Sequence, residues 1–118
     1  MKRILICFIG AILLLSCTKD NTPEPFVPEP CSDTISYNEE IVPQIIDLSC
    51  NVAGCHDATA AGSRELTSHS LVSENTDPLY RAMAHQEGYI PMPFEGEQIA
   101  DSLLQKFYCW IQQGRLDN

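Results

Sequence analysis

Apolar residues recur at helical spacing most clearly near the end of the chain, in GEQIADSLLQKFYCWIQQG (96–114). Six apolar positions in this segment share one face of an α-helix, and Gly114 is placed to end the helix. The six are Ile99, Leu103, Leu104, Phe107, Trp110 and Ile111. The pattern predicts that this helix anchors the hydrophobic core.

A shorter helix is predicted to begin at Pro43, which suits the first turn of a helix, and to end near Cys50. The preceding SYNE (36–39) has the form of a capping box, but Pro43 would break a helix begun there. The apolar side of the predicted helix consists of Ile45, Ile46 and Leu48. This placement puts Cys50 at the carboxyl end of the predicted helix.

A third helix is predicted where Asp77 can cap the first turn, Pro78 can occupy it and Gly88 can end the helix. Its inward-facing residues are Leu79, Tyr80 and Met83. Between the predicted helix that begins at Pro43 and the one capped by Asp77, the segment AAGSRELTSHSLVSEN (60–75) is rich in small and polar residues, which predicts an irregular loop. The fold class that follows is an all-α domain with long loops.

The N-terminus has the layout of an export signal. Lys2 and Arg3 precede an uncharged apolar run over 4–15, which is short for a membrane-spanning helix. The next residues complete the sequence LLSC (14–17), which resembles a bacterial lipobox. The resemblance implies a signal peptide over 1–16, cleavage before Cys17 and a lipid on Cys17. The protein is therefore expected on the periplasmic face of a membrane, or at the outer membrane or cell surface.

Residues 17–35 are predicted to form a lipid-anchored stalk before a domain over 36–118. The segment TKDNTPEPFVPEP (18–30) is rich in proline and acidic residues and has too little apolar surface to fold by itself. Once Lys2 and Arg3 leave with the signal peptide, five basic residues remain against sixteen acidic ones. This balance disfavours nucleic acid as a partner and favours proteins with a basic surface.

Of the six cysteines, one leaves with the signal peptide and one carries the lipid. Free thiols do not persist in an oxidising compartment. Assigning Cys50 and Cys55 to one purpose leaves Cys31 and Cys109 to form a disulfide between the segment before the first helix and the last helix. The closed loop would stabilise the domain by about 4 kcal/mol.

The stretch LSCNVAGCHDA (48–58) places Cys50, Cys55 and His56 in the order used for covalent haem attachment. Two thiols add across the porphyrin vinyl groups, and the imidazole after the second thiol becomes an axial iron ligand. Four residues separate these cysteines where the common motif has two, so the backbone must bulge, and Gly54 can take the positive φ of such a bulge. Two alternatives stay open: a Cys50–Cys55 disulfide in a haem-free surface binding module, and a zinc site.

The segments around this motif resemble the small cytochrome c domains of the planctomycete-type and related Bacteroidota lipoprotein families. The matching segments, in order, are SYNEEIVPQIIDLSCNVAGCHDA, DPLYRAM, YIPMP and CWIQQGRLDN, within 36–118. The chain departs from the family in its longer cysteine spacing and in Phe94, where the family has a second proline. The resemblance implies a cytochrome c-like domain that binds one covalent haem c and transfers electrons to redox partners, without being an enzyme.

The resemblance also implies that Met92, in the Met-Pro loop, is the distal iron ligand. Pro91 and Pro93 would stiffen the backbone on both sides of this thioether. Methionine opposite histidine raises the reduction potential and leaves no open iron position for a substrate, which suits an electron carrier. Three rivals are expected in the core or on the surface instead: Met83, His69 and His85.

Overall fold

The computed structural model describes residues 24–118, which form an all-α domain without strands in this range. Its helices are α1 (Tyr37–Cys50), α2 (His69–Glu74), α3 (Thr76–Met83) and α4 (Asp101–Gln112). The predicted signal peptide over 1–16 and the predicted lipid site at Cys17 lie outside the described residues. No helix of the described part is both long and apolar enough to cross a bilayer.

Helix α4 is the centre of the core, as its apolar spacing predicts. Leu104, Phe107 and Trp110 are fully buried along one face, which packs against α1 and α3. The indole N–H of Trp110 donates to the carbonyl of Leu116 at 2.8 Å, so the chain after α4 folds back over the helix. Gly114 takes a φ of +95°, which confirms its role in ending the helix.

Helix α1 begins at Tyr37, six residues before the predicted start at Pro43. The N–H groups at the start of the helix have side-chain acceptors. The Ser36 hydroxyl accepts from the N–H of Glu39, and the Glu40 carboxylate accepts from the N–H of Ser36. Asn118 adds to this, since its side-chain oxygen accepts from the N–H of Tyr37 at 2.9 Å. These caps allow the helix to start early, and Pro43 lies inside it.

The winding of α1 is wider than that of an α-helix. The N–H of Ile41 donates to Ser36 and the N–H of Asn51 donates to Ile46, so both bonds span five residues. The buried residues accordingly fall four or five positions apart: Tyr37, Ile41, Ile45, Ile46 and Cys50. The prediction that Leu48 faces inward is therefore wrong, and its side chain is 72% exposed.

The region between α1 and α4 departs from the predictions in two places. The segment predicted as loop contains α2, capped by the Ser68 hydroxyl, which buries Val72. Helix α3 starts at Thr76 and ends at Met83, well before Gly88. The reason is that the N–H groups after Met83 bond back to α3 in a turn: those of Ala84, His85 and Gln86 donate to Tyr80, Ala82 and Arg81.

Residues 24–35, in the predicted stalk, contain no helix or strand and lie along α4. The Gln105 amide brackets Glu29, accepting from its N–H and donating to its carbonyl, both at 2.9 Å. Cys31 forms a disulfide with Cys109, with a Cα–Cα distance of 5.5 Å. This pairing is the one expected from the sequence, and it fixes the segment to α4.

Candidate functional site

Cys50 and Cys55 occupy opposite environments. Cys50 ends α1 with 5% of its surface exposed, and burial raises the pKa of its thiol to about 12. Cys55 is exposed. Both sulfurs are free thiols in the structure, so the disulfide alternative for this pair is not formed there. The two thiols therefore differ in their access to solvent.

The four residues between these cysteines form a turn that returns the chain to α1. The N–H of Cys55 donates to Val52 at 2.9 Å, and the N–H of His56 donates to the carbonyl of Cys50 at 3.2 Å. Gly54 takes a φ of +80°, as expected from the bulge. The Asp57 carboxylate accepts from the N–H of Gly54, and hydrogen bonds from Thr59 and Gly54 hold its pKa below the ordinary value. The four residues between the cysteines thus form a turn that is held by hydrogen bonds.

His56 is buried and has a defined orientation. Its Nδ1 lies 2.7 Å from the carbonyl oxygen of Arg64. A carbonyl can only accept, so Nδ1 carries a proton, and in the neutral ring Nε2 keeps its lone pair. The peptide groups on both sides are also fixed, since the carbonyl of His56 accepts from the N–H of Leu66 at 2.8 Å. This is the arrangement that histidine ligands of metals use, with one ring nitrogen oriented by a carbonyl and the other available.

Met92 is held by its main chain between α3 and the turn that follows. Its N–H donates to the carbonyl of Ala82 at 3.0 Å, and its own carbonyl accepts from Nε2 of His85 at 3.2 Å. His85, a rival ligand in the sequence, therefore has one ring nitrogen engaged in supporting Met92. His69, the other rival, uses Nε2 on the carbonyl of Arg115 at 2.8 Å. Met83, the third rival, is in the core with 1% exposure.

His56 and Met92 line the same cavity, although 36 positions separate them in the chain. The cavity has a volume of about 290 Å³, near the lower end of the 300–1,000 Å³ typical of ligand sites. Its other lining residues are Gly62, Ser63, Arg64, Pro78, Leu79, Ala82, Tyr89 and Ile90. Ile90 is 64% exposed, so an apolar rim faces the solvent. Neither cysteine lines the cavity.

A larger cavity of about 540 Å³ borders His85 and is lined by four glutamates: Glu24, Glu87, Glu95 and Glu97. Among residues 24–118, no three His, Cys, Asp or Glu side chains are grouped closely enough to hold a metal ion. The zinc site considered from the sequence, at Cys50, Cys55 and His56, is therefore not assembled among these residues. The candidate site is the smaller cavity, because it brings together two predicted ligands.

Two residues that the sequence did not single out shape this site. Arg64 contributes its main-chain carbonyl to His56, and Gly62 lies against the imidazole ring. A main-chain oxygen leaves no signature in residue type, so nothing in the sequence marked Arg64. Gly62 was visible only as one small residue in a segment predicted to be irregular.

Comparisons with family models, with curated proteins and with solved structures found no match to this chain.

Proposed function

We propose that this chain is a c-type cytochrome domain that carries electrons and holds one covalent haem. The observation that carries the proposal is the cavity shared by His56 and Met92, together with a sequence in which Cys50 and Cys55 precede the histidine. The likeness of 36–118 to planctomycete-type and Bacteroidota small cytochrome c domains supports the same function.

The donor set of the cavity fits haem iron. In this proposal Nε2 of His56 and the thioether of Met92 would hold the haem iron, a pair of ligands that c-type cytochromes with a high potential use. When bound, haem supplies the one-electron iron couple. The chain contributes the orientation of both ligands, through Arg64 and Ala82, and apolar contacts that exclude water. With both axial positions filled by protein, the expected activity is electron transfer and not catalysis.

The two cysteines are the attachment points in this proposal, but their thiols are not equally accessible. Cys55 is exposed and directly precedes His56, so its thiol is accessible. Cys50 is buried, so covalent attachment requires its side chain to leave the core. The fit of this chain to haem therefore rests on the histidine and methionine, while the thioether to Cys50 involves a local rearrangement at the end of α1.

The proposal places the domain on a membrane through a lipid on Cys17, on the periplasmic face or at the cell surface. The excess of acidic residues would attract redox partners with a basic surface and raise their association rate at low salt. The covalent tie of 24–35 to α4 through Cys31 and Cys109 would transmit the membrane attachment directly to the core.

The test is a pyridine haemochrome spectrum of the denatured protein, purified from a host with a c-type maturation system. We expect a c-type spectrum that survives denaturation, and its loss in a Cys50→Ala/Cys55→Ala control. A protein without bound haem, in which mass spectrometry finds a Cys50–Cys55 disulfide, would contradict the proposal. The chain would then be a disulfide-stapled binding module.

The distal ligand is tested with a matched pair of methionine variants. Met92→Leu removes the thioether at the cavity, whereas Met83→Leu removes one from the core, where the residue has 1% exposure. We expect Met92→Leu to abolish the sulfur-to-iron charge-transfer band and to lower the reduction potential, and Met83→Leu to leave both unchanged. A band that persists in Met92→Leu would refute methionine ligation at this position.

A further inference from the structure

Gly62 lies so close to His56 that there is no room for a side chain between them. A Cβ at position 62 would lie 2.9 Å from Cε1 and 3.0 Å from Nδ1 of the imidazole, and 2.7 Å from the carbonyl oxygen of Cys55. Non-bonded carbon atoms prefer separations of about 3.5–4.0 Å. The approach is fixed by a hydrogen bond of 2.6 Å from the N–H of Gly62 to the same Cys55 carbonyl.

This requirement differs from that of the glycines with a positive φ. Gly54, Gly88 and Gly114 have φ values of +80°, +88° and +95°, and a Cβ on any of them would meet no atom within 4 Å. Glycine is favoured at these three positions because the backbone has a positive φ there. At Gly62 the restriction is steric instead, because a Cβ would clash with atoms of Cys55 and His56.

The close approach of Gly62 and the hydrogen bond from Nδ1 of His56 to the Arg64 carbonyl involve the same edge of the ring. A Cβ on Gly62 would clash with the Cε1 and Nδ1 atoms, and two residues later the Arg64 carbonyl accepts a hydrogen bond from Nδ1 at 2.7 Å. A side chain at position 62 would push the 62–64 segment away from this edge and lengthen that bond. The Nδ1 proton would then lose its partner, and the imidazole could rotate or exchange tautomers.

We propose that Gly62 is the positioning residue of His56: it lets the 62–64 backbone run against the imidazole, so that Arg64 holds the Nδ1 proton and Nε2 stays unprotonated at the cavity. The inference rests on the proposed function only in the use of that Nε2 as an iron ligand. The orientation itself belongs to the chain without haem, where it can be measured.

The first test is the tautomer of His56 in the haem-free protein, from imidazole ¹⁵N chemical shifts at a pH where the ring is neutral. A His56→Gln variant identifies its signals among the three histidines. We expect the parent to hold the Nδ1–H tautomer and Gly62→Ala to show a mixture. Two controls should keep the parent tautomer: Gly114→Ala, which strains the backbone elsewhere, and Arg64→Ala, which keeps its main-chain carbonyl. An unchanged tautomer in Gly62→Ala would overturn the proposal.

The second test is a double-mutant cycle that remains informative if Gly62→Ala is severely destabilised. Urea unfolding compares Gly62→Ala in the parent with the same change in a His56→Ala background. We expect Gly62→Ala to lower the urea midpoint less in the His56→Ala background, because the imidazole that clashes with the new Cβ is absent there. Equal losses would assign the clash to the Cys55 carbonyl alone and refute a role in positioning the ring.

A third measurement separates this inference from the proposed function. If the parent binds haem, Gly62→Ala should shift the reduction potential to a more positive value, since a histidine without its Nδ1 hydrogen bond is a weaker donor to the oxidised iron. Gly114→Ala should leave the potential unchanged, and a Gly62→Ala protein with the parent potential would contradict the inference. If the parent binds no haem, the proposed function fails while the tautomer and the cycle still decide the role of Gly62.

Discussion

Cys50 links the stability of the haem-free domain to alkaline pH. Its burial raises the thiol pKa from 9.0 to about 12. Between these values the unfolded chain loses a proton that the folded protein keeps. The contribution to stability is therefore complete below about pH 9 and is lost as the pH rises towards 12. At about pH 10.5 the expected loss in unfolding free energy is about 2 kcal/mol.

The measurement compares Cys55→Ala with Cys50→Ala/Cys55→Ala by urea unfolding, at neutral pH and at about pH 10.5. Both proteins are haem-free, and the absence of Cys55 prevents a disulfide with Cys50. Tyr37, whose pKa burial also raises to about 12, is present in both and cancels. The single variant should lose about 2 kcal/mol more than the double variant. Equal alkaline losses would show that Cys50 is not buried in the core as described.

Two further predictions concern ties between distant parts of the chain. Cys31→Ser/Cys109→Ser should lower the unfolding free energy by about 4.5 kcal/mol, the chain-entropy value for a separation of 78 residues; no change in urea midpoint would argue against the bond. Asn118→Ala should cost about 1–2 kcal/mol, because the N–H of Tyr37 loses its acceptor. The exposed neighbour change Asp117→Asn should stay within about 0.5 kcal/mol of the parent, and an equal effect of both would refute the capping role.

The parts of the fold that could be predicted from the sequence are those in which local pattern and burial agree. Helix α4 has ordinary helical winding, so the three- and four-residue spacing of its apolar positions identified the buried face, and Gly114 marked its end. Helix α2 could not be found this way. It is six residues long, buries only Val72 and depends on the Ser68 cap, so its polar sequence resembles that of a loop.

Helix α1 shows why a correct identification of apolar residues can still give a wrong face. The assumption of about 3.6 residues per turn places Leu48 beside Ile45. With hydrogen bonds that span five residues, the next inward position after Ile45 and Ile46 is Cys50, and Leu48 turns to solvent. The caps that allow this winding come partly from Asn118, which is remote in sequence. No local pattern at 37–50 contains that information.

The candidate site combines a predictable and an unpredictable part. The residue types of His56 and Met92 make both candidate ligands, and the Met-Pro sequence directed attention to Met92. Both residues are held in place by hydrogen bonds that the main-chain carbonyls of Ala82 and Arg64 accept, and any residue type can supply such a carbonyl. The sequence can therefore nominate candidate ligands, but backbone atoms set the orientation of the His56 ring and the main-chain position of Met92.

The winding of α1 also determines how the haem proposal and the pH prediction bear on each other. The thiol that makes the haem-free chain sensitive to alkali is the one that must leave the core for attachment. If a thioether forms at Cys50, that sulfur can no longer ionise, and the alkaline loss of about 2 kcal/mol should be absent from the haem-bound protein. Cys55, by contrast, lies on the exposed surface. The two cysteines thus have separate energetic roles, although they belong to one motif.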